Sequence, residues 1–243
     1  MIPTPPPETP SRPLPRAVAE FAPRLDVGLL APGALEAAPA LLGAKLVHIL
    51  SDGSLLVGRI VETEAYTEDD PASHSYRGPS LRTRSMFGRP GLAYIYKIYG
   101  VHFCLNVSAG AEGAGEAVLL RALEPLAGLD RMAAARGGRT TGLCDGPGKL
   151  CQAFGLDRTF DGEDLLTSER LFLLAPAAED RSEEIAVSPR VGIVQAADWP
   201  RRFYFRDNVH VSRRPKSAPK PGRQTPPSAA KPCPSDREEG ASF

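Results

Sequence analysis

Two glutamates, Glu62 and Glu64, sit near the end of an apolar run in VGRIVETEAY (Val57 to Tyr66). On a strand they share a face with Ile60 and Tyr66, while Arg59, Val61, Thr63 and Ala65 take the other. Two like charges on one face are costly to bury unless they are paired or hydrogen-bonded. An arbitrary Glu-x-Glu is most often a solvated pair at a sheet edge. Here a tyrosine follows on the same face, and Arg121, closing the apolar run of AVLLRALEP (Ala117 to Pro125), is an available partner. A carboxylate held by an arginine beside aromatic rings can bind a water and activate it as a general base.

The rings are supplied nearby. Tyr76, Tyr94, Tyr96 and Tyr99 fall between Pro71 and Ala111, a window without Asp or Glu that also carries Arg77, Arg82, Arg84, Arg89 and Lys97. Tyrosines commonly fill a core and keep the hydroxyl wet. Tyr99, however, falls at the apparent turn of YIYKIYGVHFCLN, where a large ring has little core to fill. An exposed ring there can be pushed between bases, and rings on a wall can stack a flipped base. Such stacking contributes about 1–3 kcal/mol per base. His74 and His102 are ordinary structural hydrogen-bonders on base rates, and no Cys or Asp stands at ligand spacing from either. Asn106 lies on a strand, where Asn is disfavoured, so it is paired or functional. GPGK (Gly146 to Lys149) has the character of a helix N-terminus without the spacing of a phosphate loop.

The whole chain has 243 residues and no formal net charge, so a polyanion partner must be met by a basic face rather than by total charge. Four cysteines, Cys104, Cys144, Cys151 and Cys233, form no CxxC pair and fit neither a zinc spacing nor a disulfide framework. No apolar run is long enough to span a bilayer, and the start of the chain lacks the pattern of a signal peptide. The proline-rich segments 1–22 and 213–243 read as disordered tails flanking a single domain at 23–212.

The elements that must position these residues are legible in outline. GALEAAPALL reads as a helix shortened by Pro39, and AKLVHIL and SLLVGRIVETEAY as an antiparallel hairpin across the SDG turn. Thr67 to Ser85 has no period and reads as a long loop, the kind that is usually functional or mobile. LAYIYKIYG and VHFCLNVS form a second hairpin, AVLLRALEP a buried strand ending at Pro125, and LAGLDRMAAAR a helix. Pro147 opens a helix that Gly155 caps. RLFLL, RVGIV and RFYFR read as short strands. The order indicates an α+β domain with a curved, mostly antiparallel sheet.

Taken in order, GRIVETEAY, MFGRPGLAYIYKIYGVHFCLNVS, AVLLRALEPL and GPGKLCQAFGL resemble the alkyladenine (3-methyladenine) DNA glycosylase family over roughly Leu25 to Val211. The resemblance implies a monofunctional glycosylase that works as a monomer on double-stranded DNA containing damaged purines. It needs no metal and no other cofactor, and its β-hairpin protrudes into the minor groove. Position by position, Glu64 matches the water-activating base and Arg121 the arginine that helps hold carboxylate and water. The backbone of Val191 matches a main-chain water contact. Tyr66 and Tyr96 match the rings that sandwich the flipped base, His74 the residue bonded to its edge, and Asn106 one that crowds a guanine 2-amino group. Tyr99 matches the wedge, with Val101, His102, Arg82 and Arg84 as further DNA contacts. Thr83 stands where the family usually has Asn, and Val101 where Met is common. Expected substrates are 3-methyladenine and 7-methylguanine, extending to hypoxanthine and ethenoadenine. The alternative is a lesion-binding protein without catalysis, which would have lost Glu64 or Arg121. Without targeting signals, the expected location is a bacterial cytoplasm at the nucleoid, or a nucleus in a eukaryote.

Overall fold

The computed structural model describes residues 22–212. The expected tails lie outside these residues save for Ala22, which packs against the apolar cluster around Val47. Eight antiparallel strands form one sheet: β1 (Lys45–Ile49), β2 (Leu55–Tyr66), β3 (Ala93–Ile98), β4 (His102–Ala109), β5 (Glu116–Ala127), β6 (Leu171–Leu174), β7 (Ile185–Ser188) and β8 (Arg202–Phe205). The main path runs β3-β4-β5-β2-β1-β6, with β8 also on β2 and β7 on β8. Among the described residues there are three α-helices: α1 (Ala34–Ala40), α2 (Leu129–Ala135) and α3 (Pro147–Phe154). The curved sheet with few helices is the α+β architecture expected.

β2 organises the sheet. One of its edges pairs with β1 over Leu55 to Arg59 and then with β8 over Glu62 to Glu64, while β5 runs along the other. Between these two stretches the ladder slips twice. Ile60 pairs with Leu123 and Glu62 with Ala122, leaving Val61 as an extra residue in β2; Thr63 then pairs with Leu120, leaving Arg121 as an extra residue in β5. The two bulges compensate, so the register is the same before and after them. They also interrupt the simple alternation expected from sequence, because Ile60 and Val61 both enter the main apolar core.

Helix α1 is fastened to the sheet at both ends. Glu116 accepts a hydrogen bond from the Ala34 amide at 2.6 Å, and the Thr63 hydroxyl donates to the Ala38 carbonyl at 2.8 Å. Both contacts satisfy backbone groups that a short helix leaves without partners. Helix α3 begins with Pro147 at its first position and ends at Gly155 with φ 65°, as its sequence demands. Its Phe154 ring lies so close to β2 that a side chain at Gly58 would meet it at 3.1 Å.

Two sequence expectations need correction, and one strand is additional. RVGIV is a turn and extended chain, not a strand: the backbone turns at Val191 and Gly192, where Gly192 has φ 74°. β5 does not stop at Pro125 but continues to Ala127, and the following helix starts only at Leu129. Beyond Leu119 the β4 side of β5 carries no ladder, so a residue without an amide hydrogen is tolerated there. Strand β7 was not anticipated, since IAVS is short and only Ala186 is buried.

Candidate active site

The adjacent bulges bring β2's carboxylates and β5's arginine together. A bulge re-aims the side chains around it, and the Arg121 guanidinium reaches Glu62 through Nε (2.9 Å) and Glu64 through Nη1 (3.2 Å). Glu62 also accepts from Arg202 Nε (2.6 Å), the Ser212 amide (2.6 Å) and the Ser212 hydroxyl (2.9 Å). A fully buried carboxylate with four donors is saturated, and Glu62 anchors Ser212 to β2 and β5.

Glu64 has a different set of partners. Its Oε1 accepts from the Val191 amide at 2.8 Å, and its Oε2 from the Tyr66 hydroxyl at 2.9 Å. The side chain is completely buried. Burial pushes its pKa above the usual glutamate value, against the opposing pull of Arg121, the Val191 amide and the Tyr66 hydroxyl. Burial thus disfavours the charged form of this carboxylate while three partners favour it.

Tyr66 stands between Glu64 and a cavity of about 410 Å³. The cavity is lined by Tyr66, Tyr94, Tyr96 and Tyr99 from the strands and hairpin, His74, Arg82 and Met86 from the long loop, Asn106 from β4, and Ile193 from the RVGIV segment. A base-sized, aromatic cavity with a few polar groups is the form of a small-ligand site. His74 meets the Tyr96 ring edge-on at 4.5 Å. Its Nδ1 lies 2.9 Å from the Tyr94 hydroxyl and its Nε2 3.2 Å from Arg82 Nη2. A guanidinium only donates, so Nε2 carries the lone pair and Nδ1 the hydrogen. Desolvation of the ring, then the Arg82 cation, lower the His74 pKa to about 4, which keeps the imidazole neutral. Asn106 is buried and donates from Nδ2 to the Tyr94 carbonyl at 3.0 Å.

The wall behind Tyr66 had no signal in the sequence. Arg190 is completely buried, donates to both Asp70 oxygens and to the Ala65 carbonyl, and lays its guanidinium 4.6 Å from the Tyr66 ring centroid. Arg201 adds contacts to Thr67 and Asp70. Arg190 precedes Val191, so one ion pair secures both the amide on Glu64 and the ring in front of it. DD (Asp69, Asp70) and PRVG look like any loop, and only the fold makes them neighbours.

At the β3–β4 hairpin, Val101 donates its amide hydrogen to the Ile98 carbonyl at 3.2 Å, and Tyr99 and Gly100 both have positive φ, 52° and 69°. A bulky side chain with positive φ is strained. Tyr99 is 86 % exposed, with Val101 and His102 exposed beside it. Thr83 is buried within its own turn, accepting from the Ser80 amide at 2.9 Å, so its departure from the family pattern is a matter of loop structure. Thus Glu64, Arg121, Tyr66, His74, Tyr96, Asn106 and Val191 converge on one site. Arg82 joins them in the cavity lining, whereas Arg84 is exposed and does not line it. Cys104, Cys144 and Cys151 are buried free thiols; Cys233 lies outside the described residues.

The chain is similar to known DNA glycosylases. A family model described as methylpurine-DNA glycosylase (MPG) matches residues 29–209. A protein of Methanoculleus marisnigri, provisionally named 3-methyladenine DNA glycosylase, is 51% identical over 177 residues, covering 72% of this chain and 91% of that one. A protein of Mus musculus named DNA-3-methyladenine glycosylase is 46% identical over 195 residues, covering 74% of this chain and 58% of its own length.

Proposed function

The chain belongs to the methylpurine-DNA glycosylase family, hydrolases of N-glycosidic bonds, and on that premise we propose that it excises 3-methyladenine and related damaged purines from double-stranded DNA with a water activated by Glu64. The observation that carries this reading is the Glu64 carboxylate bonded to the hydroxyl of Tyr66, a ring of the aromatic cavity, and fixed by Arg121 and the Val191 amide.

The damaged nucleotide flips into the cavity, where Tyr66 and Tyr96 stack the base. Flipping costs least for damaged or mispaired bases, which contributes to selection. The bond from C1′ to the purine nitrogen breaks through an oxocarbenium-like sugar, and its electron pair leaves with the base. Glu64 stabilises the developing cation and takes a proton from the water whose oxygen bonds to C1′. Alkylation makes the purine cationic and a good leaving group, so little acid catalysis is needed. The products are a free base and an abasic site. Tyr99 enters the duplex as a wedge in the minor groove, Val101 and His102 flank it, Arg84 attracts phosphate, and the protein acts as a monomer. Hypoxanthine and ethenoadenine extend the range.

Single-turnover base release from lesion-bearing duplexes, with wild type beside Glu64→Gln, tests the reading. Release by wild type, with loss of release but retained duplex binding in the variant, is expected. Equal release by both proteins removes Glu64 from its role, and no release by a folded wild type removes the reaction.

A further inference from the structure

We propose that Arg82 is a specificity-determining residue that reads the outer edge of the flipped purine, favouring uncharged bases with a hydrogen-bond acceptor there over cationic bases with an amino group. The inference rests on the glycosylase reading of the same cavity.

Arg82 lies in a basic loop and is the kind of residue that contacts phosphate. Its placement is different. The guanidinium lines the base cavity, stands 5.8 Å from the Tyr96 ring centroid and bonds His74 Nε2. The Tyr94 hydroxyl is a second partner. A guanidinium has five N–H donors and no acceptor, so these contacts leave others for a base. The imidazole's one acceptor is meanwhile occupied by Arg82, so an amino group at the purine edge competes with Arg82 for it. A carbonyl or imine nitrogen there receives a charge-assisted hydrogen bond instead.

Charge points the same way. Arg82 and Lys97 both line the cavity, and no Asp or Glu does; Glu64 is hidden behind the Tyr66 hydroxyl. Tyrosine faces attract cationic rings. Here Tyr66 already carries Arg190 on its ring and Tyr96 has Arg82 near its own, so each wall meets a cationic base with a cation in place. In a site of low polarity that repulsion is felt more strongly than in water.

The test is single-turnover release by the full chain, wild type and Arg82→Met, from duplexes carrying hypoxanthine (neutral, carbonyl edge), 3-methyladenine (cationic, amino edge) or 7-methylguanine (cationic, carbonyl edge). The expected result is an about tenfold slower release of hypoxanthine, the value of one charge-assisted hydrogen bond. Release of 3-methyladenine is no slower, and 7-methylguanine falls between. Arg82→Lys, which keeps the charge and loses the planar fork, recovers only part of the hypoxanthine rate. Equal loss on all three bases, with a shallower salt dependence of duplex binding, would overturn the proposal in favour of a phosphate contact. Unchanged rates on all three would overturn it outright. Release of no base by wild type would bring down the glycosylase reading and this inference with it. Arg82 is exposed on a loop, and melting curves of both variants separate these outcomes from misfolding.

Discussion

Glu62 and Glu64 are two residues apart on one strand and share Arg121, at 2.9 and 3.2 Å, yet the rest of their partners differ. Glu62 is saturated by Arg121, Arg202 and Ser212. Glu64 is held by one main-chain amide, one hydroxyl and one shared cation.

The pH dependence of base release follows from this difference. Burial raises the Glu64 pKa above its ordinary value of 4.5, and Arg121 opposes the rise. The base form exists only above the raised pKa, so release falls as pH drops through it. Arg121→Met removes the opposing cation, and the acid limb of the single-turnover rate moves to higher pH. A pH–rate profile of the two proteins checks this; a limb that does not move means that Glu64 is not the titrating base.

The buried pair of Arg190 and Asp70 positions the site without touching the substrate's reacting atoms. Asp70→Asn leaves Arg190 as a buried charge with weaker partners and costs about 3 kcal/mol of stability. With Arg190 loosened, the Val191 amide and the Tyr66 ring lose their backing, and base release slows by about tenfold. Affinity for undamaged duplex, which does not use the cavity, is unchanged, and that is the readout a general loss of structure would not give. Chemical denaturation, single-turnover release and duplex titration measure the three effects.

Tyr99 is expected to show stability and activity pulling apart. Its backbone has φ 52°, a conformation that glycine adopts without cost, and its ring is exposed. Tyr99→Gly therefore raises stability by up to about 1 kcal/mol, while release from duplex DNA slows because the wedge is gone. Release from single-stranded DNA, where no gap must be held open, changes less. A fall in melting temperature would show that the ring packs in the fold after all.

The sequence carried the strands, the hairpins, helix α3 and the tyrosine wall, because each has a local cause. Alternation reports β1 and β2, Pro147 and Gly155 delimit α3, and a ring at a turn marks Tyr99. The resemblance added the roles of Glu64 and Arg121. What it left out is non-local. Asp70 and Arg190 are 120 residues apart, Glu62 is saturated by residues from β5, β8 and the end of the described chain, and β7 is too short to have a period. The bulges were also invisible: nothing in IVETE or LRALE marks Val61 or Arg121 as the extra residue.

Those paired slips make the site a matter of phase. Because the extra residue in β2 is answered at once by one in β5, the strands on either side keep a common register, and the disturbance stays within a few residues. Deleting Val61 alone would remove the slip in β2 and leave the one in β5 unanswered, so the register on the two sides of the site would differ by one residue. Deleting Val61 and Arg121 together would restore a continuous ladder from Gly58 to Tyr66 but take the shared cation with it. In a lineage, then, length changes at these two positions are survivable as a regular sheet only at the expense of the reaction, so β2 and β5 can vary in side chains while their lengths across this point are tied to one another.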